Sequence, residues 1–301
     1  MTPQRNTRNL LLAIDGSEHA DSAIQFVCEM PLPKNCQINI ISVLVPRNAQ
    51  YHVVLEKVLE RAKEKLQKHN NILVHSKLLT GYPAEQIIEF IEESKPDLAV
   101  LGARGLRSTL SILLGGVAQQ VVEYASCPVL IVRSPFRNLQ NALIAIDGSA
   151  HSNYALEYLQ NCPLPKDVTF HILSVLPPEF TLDTLGQYWR MDMEFSPMFF
   201  TEQMQEQIQQ QQIAEEEEGN ILLQDAKEFL ENLQHPLKSK IRRGDAATEI
   251  LDYAKTEDID LIISGSRGLS EFKGWLLGSV SRKLVHYADC SVLIVKIPSK
   301  H

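Results

Sequence analysis

Glycines, a serine and an arginine fall at spacings suited to holding a phosphate in the stretch Gly265-Ser-Arg-Gly268, nine further residues, then Gly278-Ser279. The apolar run Leu261–Ile263 precedes it and Val280–Tyr287 after it reads as a helix, so the pattern is a strand, a glycine loop and a helix N-terminus. Gly265 and Gly268 lack a Cβ, which lets the backbone turn sharply and bring N–H groups close to an anion. Gly278 and Ser279 open a helix whose unpaired N–H groups and positive dipole end point to the same place, and the Ser279 hydroxyl adds a donor. Arg267 lies inside the loop, from where a guanidinium reaches phosphate oxygens; a solvated surface arginine is the alternative. Glycines after strands also serve turns and close helix packing. The spacer, the Gly-Ser end and the preceding strand are what strengthen the reading as a phosphate site.

A second stretch has the same form with one change. Gly102-Ala-Arg-Gly105 is followed at the right spacing by Gly115, but the next residue is Gly116 where the other stretch has a serine. One hydroxyl donor is missing. A lost hydrogen bond to a charged group costs about 1.5 to 3 kcal/mol, roughly tenfold to a hundredfold in affinity, so this site, with Arg104 in its loop, is expected to be the weaker. Two carboxylates recur nearby in the same way: Asp15 and Asp147 each precede Gly-Ser at a helix start, which suits turn formation and capping.

The elements that must position these groups come in two sets. Leu11-Leu-Ala-Ile-Asp-Gly-Ser17 returns as Leu143-Ile-Ala-Ile-Asp-Gly-Ser149, an offset of 132 (147 − 15). Cys127-Pro-Val-Leu-Ile-Val132 returns as Cys290-Ser-Val-Leu-Ile-Val295, an offset of 163, as do the two glycine loops. The chain is a tandem duplication, with domains expected at residues 1–137 and 138–301. The change of offset, 163 − 132 = 31, places an insertion of that length in the second copy, at about residues 177–219. Its first part is aromatic and rich in methionine (Tyr188, Trp189, Met191, Met193, Phe195, Met198, Phe199, Phe200), suited to a lid, an interaction surface or packing on the domain. Its second part, Gln203–Glu218, reads as a solvated helix or a partly disordered segment and runs into helical spacing over Ile221–Leu233.

In the first copy, short apolar runs at Leu10–Ile14, Ile38–Leu44, Ile72–Leu79, Leu98–Leu101 and Val129–Val132 alternate with helical patterns. Such alternation predicts right-handed crossovers and an open parallel sheet with helices on both faces. Ligands of such sheets sit at the carboxyl ends of strands where the strand order reverses.

The G-x2-G-x9-G-[S/T] spacing of Gly265, Gly268, Gly278 and Ser279 resembles that of ATP-binding universal stress proteins, and the resemblance extends over nearly the whole chain. It implies a five-stranded sheet of order 3-2-1-4-5 in each copy, with the crevice between the first and fourth strands. It further implies adenine held by backbone groups at Val43 and Val175, contacts from Val280 beside Ser279, and Asp15 and Asp147 beside the nucleotide. Mg²⁺ bridging the phosphates near Asp147 follows if ATP binds. Family members commonly pair their terminal strands across a dimer. Here Val129–Val132 and Val292–Val295 are expected to pair with each other in one chain as a pseudo-dimer, with homo-oligomers through these strands left open.

Hydrophobic residues at 44%, charged residues at 22% and a net charge of −8 fit an ordinary soluble protein and argue against a general nucleic-acid or anionic-membrane surface. No run reaches transmembrane length, Arg5 and Arg8 are not followed by a secretory apolar region, and the five scattered cysteines suit reduced thiols in the cytoplasm. No Walker lysine, nucleophile elbow or metal-binding spacing of cysteine and histidine appears. The reading is an ATP-binding protein that uses occupancy as a regulatory or conformational signal in stress response, with an unidentified protein partner. A slow metal-dependent ATPase and a nucleotide-independent scaffold are the alternatives.

Overall fold

The computed structural model describes residues 9–70, 72–106, 113–179, 202–269 and 277–298. The first copy runs β1 (Asn9–Ala13), α1 (Glu18–Glu29), β2 (Gln37–Leu44), α2 (His52–Asn70), β3 (Leu73–Thr80), α3 (Pro83–Ser94), β4 (Leu98–Gly102), α4 (Gly116–Tyr124) and β5 (Val129–Val132). The second runs β6 (Asn141–Ile146), α5 (Ala150–Leu159), β7 (Thr169–Leu176), α6 (Glu202–Glu231), β8 (Leu237–Arg243), α7 (Ala246–Thr256), β9 (Leu261–Gly265), α8 (Ser279–Tyr287) and β10 (Ser291–Val295).

Because side chains alternate across a strand, the continuous apolar runs feed two cores. Leu10 and Leu12 face the layer formed by α1, α2, α5 and α6, while Leu11 and Ala13 face α3, α4, α7 and α8. Each copy has the order 3-2-1-4-5, and the two join into one ten-stranded sheet, β3-β2-β1-β4-β5-β10-β9-β6-β7-β8. Every pairing within a copy is parallel; the join is antiparallel, with Val292 opposite Ile131, Leu293 opposite Leu130 and Ile294 opposite Val129. The pseudo-dimer is therefore inside the chain. In this pairing β5 and β10 each have neighbours on both sides, so neither of these terminal strands offers a free edge to another chain.

The second part of the insertion is helical. α6 is 30 residues long where α2 has 19, and Leu223, Ala226 and Leu230 are buried where Leu59, Ala62 and Leu66 are buried in α2. The extra length is at the N-terminal end and includes the glutamine run. Arg243 at the end of β8 holds that end down, donating to Glu215 Oε2 at 3.0 Å and to the Gln212 carbonyl at 3.0 Å. The aromatic first part of the insertion lies outside the described residues. Among the described residues no helix is long and apolar enough to cross a membrane.

Candidate functional site

The crevice expected between the first and fourth strands begins with two identical turns. Gly148 takes φ +75 and Gly16 φ +83, a conformation that a side chain disfavours, and this folds each Asp-Gly-Ser back on itself. The Ser149 N–H then donates to Asp147 Oδ1 and the Ser17 N–H to Asp15 Oδ1, both at 3.0 Å. These carboxylates do form the turn. The serines cap the following helices, Ser17 accepting from Ala20 N and Ser149 from Ser152 N, and their hydroxyls also reach the loop carbonyls of Arg104 and Arg267 at 3.0 and 3.5 Å.

The motif glycines divide by role. A Cβ on Gly265 would lie 2.6 Å from the His151 carbonyl carbon, and one on Gly102 would lie 2.7 Å from that of His19, so both let the first turn of α5 or α1 pack on the loop. A Cβ on Gly268 would lie 2.6 Å from Asp147 Oδ2, and one on Gly105 would lie 2.6 Å from Asp15 Oδ2. These two glycines bring the loop against the carboxylate, and in the first copy the Leu106 N–H donates to Asp15 Oδ2 at 2.9 Å. The far ends of the loops are tied back by Gly278 N–H to the Ser266 carbonyl and Gly115 N–H to the Ala103 carbonyl, each at 2.8 Å.

Gly278 and Gly115 are the N-caps of α8 and α4, extended in backbone and without a side-chain cap. The first N–H groups of both helices therefore face outward without intrahelical partners. In the second copy, Asp147, Val175, Gly265, Arg267, Gly268 and Val280 line one cavity. Leu173, Ala246 and Ile250 make its β7–α7 side apolar, while Arg267, Gly268 and the start of α8 make the opposite side polar. Gly278 and Ser279 are not on the cavity wall: Gly278 stacks on the loop, and Ser279 is exposed at the first helical position. Ser281, which sequence reasoning missed, is on the wall, and its Oγ donates to the Gly265 carbonyl at 2.7 Å. In the first copy Val43 is half-buried near the end of β2, and Gly116 is exposed with nothing within 4 Å of a Cβ built on it.

The two loop arginines differ most. Arg104 Nε donates to His19 Nε2 at 2.9 Å. Burial first, and then the Arg104 guanidinium, hold His19 below its ordinary pKa. His151 stands where His19 does, but its Nδ1 lies 3.0 Å from Ser266 Oγ, a hydroxyl that Ala103 cannot supply. Arg267 Nε is buried with no hydrogen-bond partner. A buried unpaired donor is costly, and this one belongs to a residue on the cavity wall. The repeat carried the signal for the histidines, which recur at the same offset as the aspartates (151 − 19 = 132). Among the described residues no three His, Cys, Asp or Glu side chains converge on a metal position.

These features define a tandem α/β protein with a glycine loop and an uncapped helix start at the switch point of each half. The model of the universal stress protein family matches residues 6–133 and 138–296, and the chain belongs to that family. It is 30% identical over 148 residues to a universal stress protein of Methanocaldococcus jannaschii, covering 44% of this chain and 87% of that one. Similarity to a universal stress protein of Mycolicibacterium smegmatis is lower but spans both copies, with 22% identity over 310 residues, 95% of this chain and 96% of the relative. The crystal structure of a universal stress protein from Archaeoglobus fulgidus shares the fold, with a TM-score of 0.65 at 19% identity over 98% of each chain.

Proposed function

We propose that the second copy binds an adenine nucleotide, ATP with Mg²⁺, and that occupancy acts as a regulatory signal in stress response, the first copy being a weaker site. The observation that carries this reading is the buried, unpartnered Arg267 Nε beside an uncapped helix start. Both supply positive potential and donors with no partner within the protein, which is what an anion needs. The apolar β7–α7 side of the same cavity suits a purine, with Val175 backbone groups at its edge. Asp147 offers a carboxylate facing the loop, and one carboxylate with phosphate oxygens and water is an ordinary Mg²⁺ environment. Residues 1–137 and 138–301 are then two nucleotide modules of unequal strength.

The test is to denature freshly purified protein and identify released nucleotide by mass and amount. About one adenine nucleotide per chain is expected, and Arg267→Gln, shown to be folded, is expected to lose it or to bind added ATP roughly tenfold to a hundredfold more weakly. Absence of nucleotide together with no uptake of added ATP and Mg²⁺ would move the function to the nucleotide-independent scaffold reading.

A further inference from the structure

Where the two copies meet, each sends one buried cation into the other. Arg133, the residue after β5, is only 8% exposed, and its Nη2 donates to the carbonyls of Val285 at 2.8 Å and His286 at 3.3 Å. Those carbonyls belong to the last turn of α8. Its Nη1 also donates to the Leu113 carbonyl, just before α4. Lys296, the residue after β10, is likewise 8% exposed, and its Nζ donates to the carbonyls of Ala125 at 2.6 Å and Glu123 at 3.1 Å, at the end of α4. The two cations occupy equivalent positions (296 − 133 = 163). Each closes the negative end of a helix whose positive end opens at the other copy's glycine loop.

Both cations are also tied to their own loops. Val132 accepts from the Ala103 N–H at 2.8 Å, and Val295 accepts from the Ser266 N–H at 2.9 Å. A continuous path therefore runs from the first loop by the Ala103–Val132 backbone bond, along the chain to Arg133, and through its guanidinium to the end of α8, whose start faces the second loop. The mirror path runs from the second loop through Val295 and Lys296 to α4. Arg282 of α8 and Glu123 of α4, 3.3 Å apart, brace the two helices directly.

We propose that these reciprocal cation clamps couple the two glycine loops, so that Arg133 is a positioning residue for the second copy's site and anion binding there tightens the first loop. This rests on the reading of the start of α8 as a phosphate site. The physical reason is that an anion at the start of a helix and a cation at its end stabilise the same dipole, and a helix held at its far end loses less freedom when its start is bound. Coupling is mutual, so whatever one loop gains from the other's occupancy is returned.

The experiment uses the full chain and ATP with Mg²⁺ as the probe. Titration calorimetry compares the wild type with Arg133→Met and Arg133→Lys, each checked for a cooperative melt, and hydrogen exchange is read at one bound equivalent. Expected is an affinity about fivefold or more weaker for Arg133→Met, in the usual range of coupling between sites, with Arg133→Lys recovering most of it because a lysine performs this task in the other copy. Exchange at Ala103 and at residues 113–118 of the wild type should slow when the second site fills, and Arg133→Met should lose that slowing. A folded Arg133→Met that binds like the wild type, or an Arg133→Lys no better than Arg133→Met, overturns the coupling while the nucleotide reading stands. Should Arg133→Met not fold, unchanged wild-type exchange at residues 103 and 113–118 with the second site filled overturns it equally. A wild type that takes up no nucleotide overturns both.

Discussion

The described ends of the first and second glycine loops are built alike and differ in what their side chains engage. Both carry an arginine between their glycines, a turn-forming aspartate against the second glycine and an uncapped helix start. In the first, Arg104 donates to His19 and the Leu106 N–H occupies Asp15 Oδ2. In the second, Ser266 engages His151 and Arg267 Nε is left without a partner on the cavity wall. The two copies share the same cradle but differ at one small neighbour, Ala103 against Ser266, and in whether the arginine Nε beside it is engaged or left without a partner.

The sharpest way to break this comparison is to close one loop at a time. Gly268→Ala puts a Cβ 2.6 Å from Asp147 Oδ2, so loop or carboxylate must move, and nucleotide affinity should fall about a hundredfold. Gly105→Ala makes the same contact with Asp15 and should leave the first bound equivalent intact in a binding titration. The reverse pattern would put the stronger site in the first copy.

Restoring the missing hydroxyl is the next largest effect. Gly116 has nothing within 4 Å of a built Cβ, so Gly116→Ser costs no packing. The added donor should tighten the first site about tenfold, enough to bring a second equivalent into a titration at accessible ATP concentrations. A stoichiometry that stays at one would show that the engaged Arg104, and not the hydroxyl, limits this copy.

That possibility has its own test. Ser266→Ala reproduces the first copy's neighbour and should let His151 turn to Arg267, weakening the second site about fivefold, the worth of roughly one hydrogen bond. Unchanged affinity would detach the serine from the arginine's availability.

The smallest effect is on stability. His19 is buried near Arg104 and its pKa lies below the usual 6.5, so the unfolded chain takes up a proton before the folded one. Stability therefore falls as pH drops through and below about 6.5, and is unaffected by this group at higher pH. Denaturant melts from pH 7 to pH 5 should show a shallower acid loss in His19→Gln than in the wild type; equal slopes would mean that the first loop's histidine carries no such linkage.

Much of this was legible before any coordinates. The repeated Leu-x-x-Ile-Asp-Gly-Ser and Cys-x-Val-Leu-Ile-Val blocks gave two copies, and the five apolar runs of the first copy became strands within a residue or two at each end. The Asp-Gly-Ser at each helix start announced a turn and a cap, and the cap itself is made by the serine. The order 3-2-1-4-5 came from family resemblance, because apolar runs buried on both faces look alike whichever neighbours they take. The helical state of the glutamine and glutamate runs was one of two readings, and what holds their end of α6 to the sheet is Arg243, distant in sequence from the glutamates it meets.

Residue types and spacing alone determined the duplication, the alternation of strands and helices, and the glycine loops, since each depends on local backbone freedom and on periodic burial. Only the tertiary structure decided which arginine is spent and how the copies are joined. His19 and Arg104 are 85 residues apart, and Arg133 and Val285 are 152 apart. Such partners are chosen by the packing of the sheet and its helices, and a buried donor's availability is settled by whatever neighbour the fold has already placed beside it.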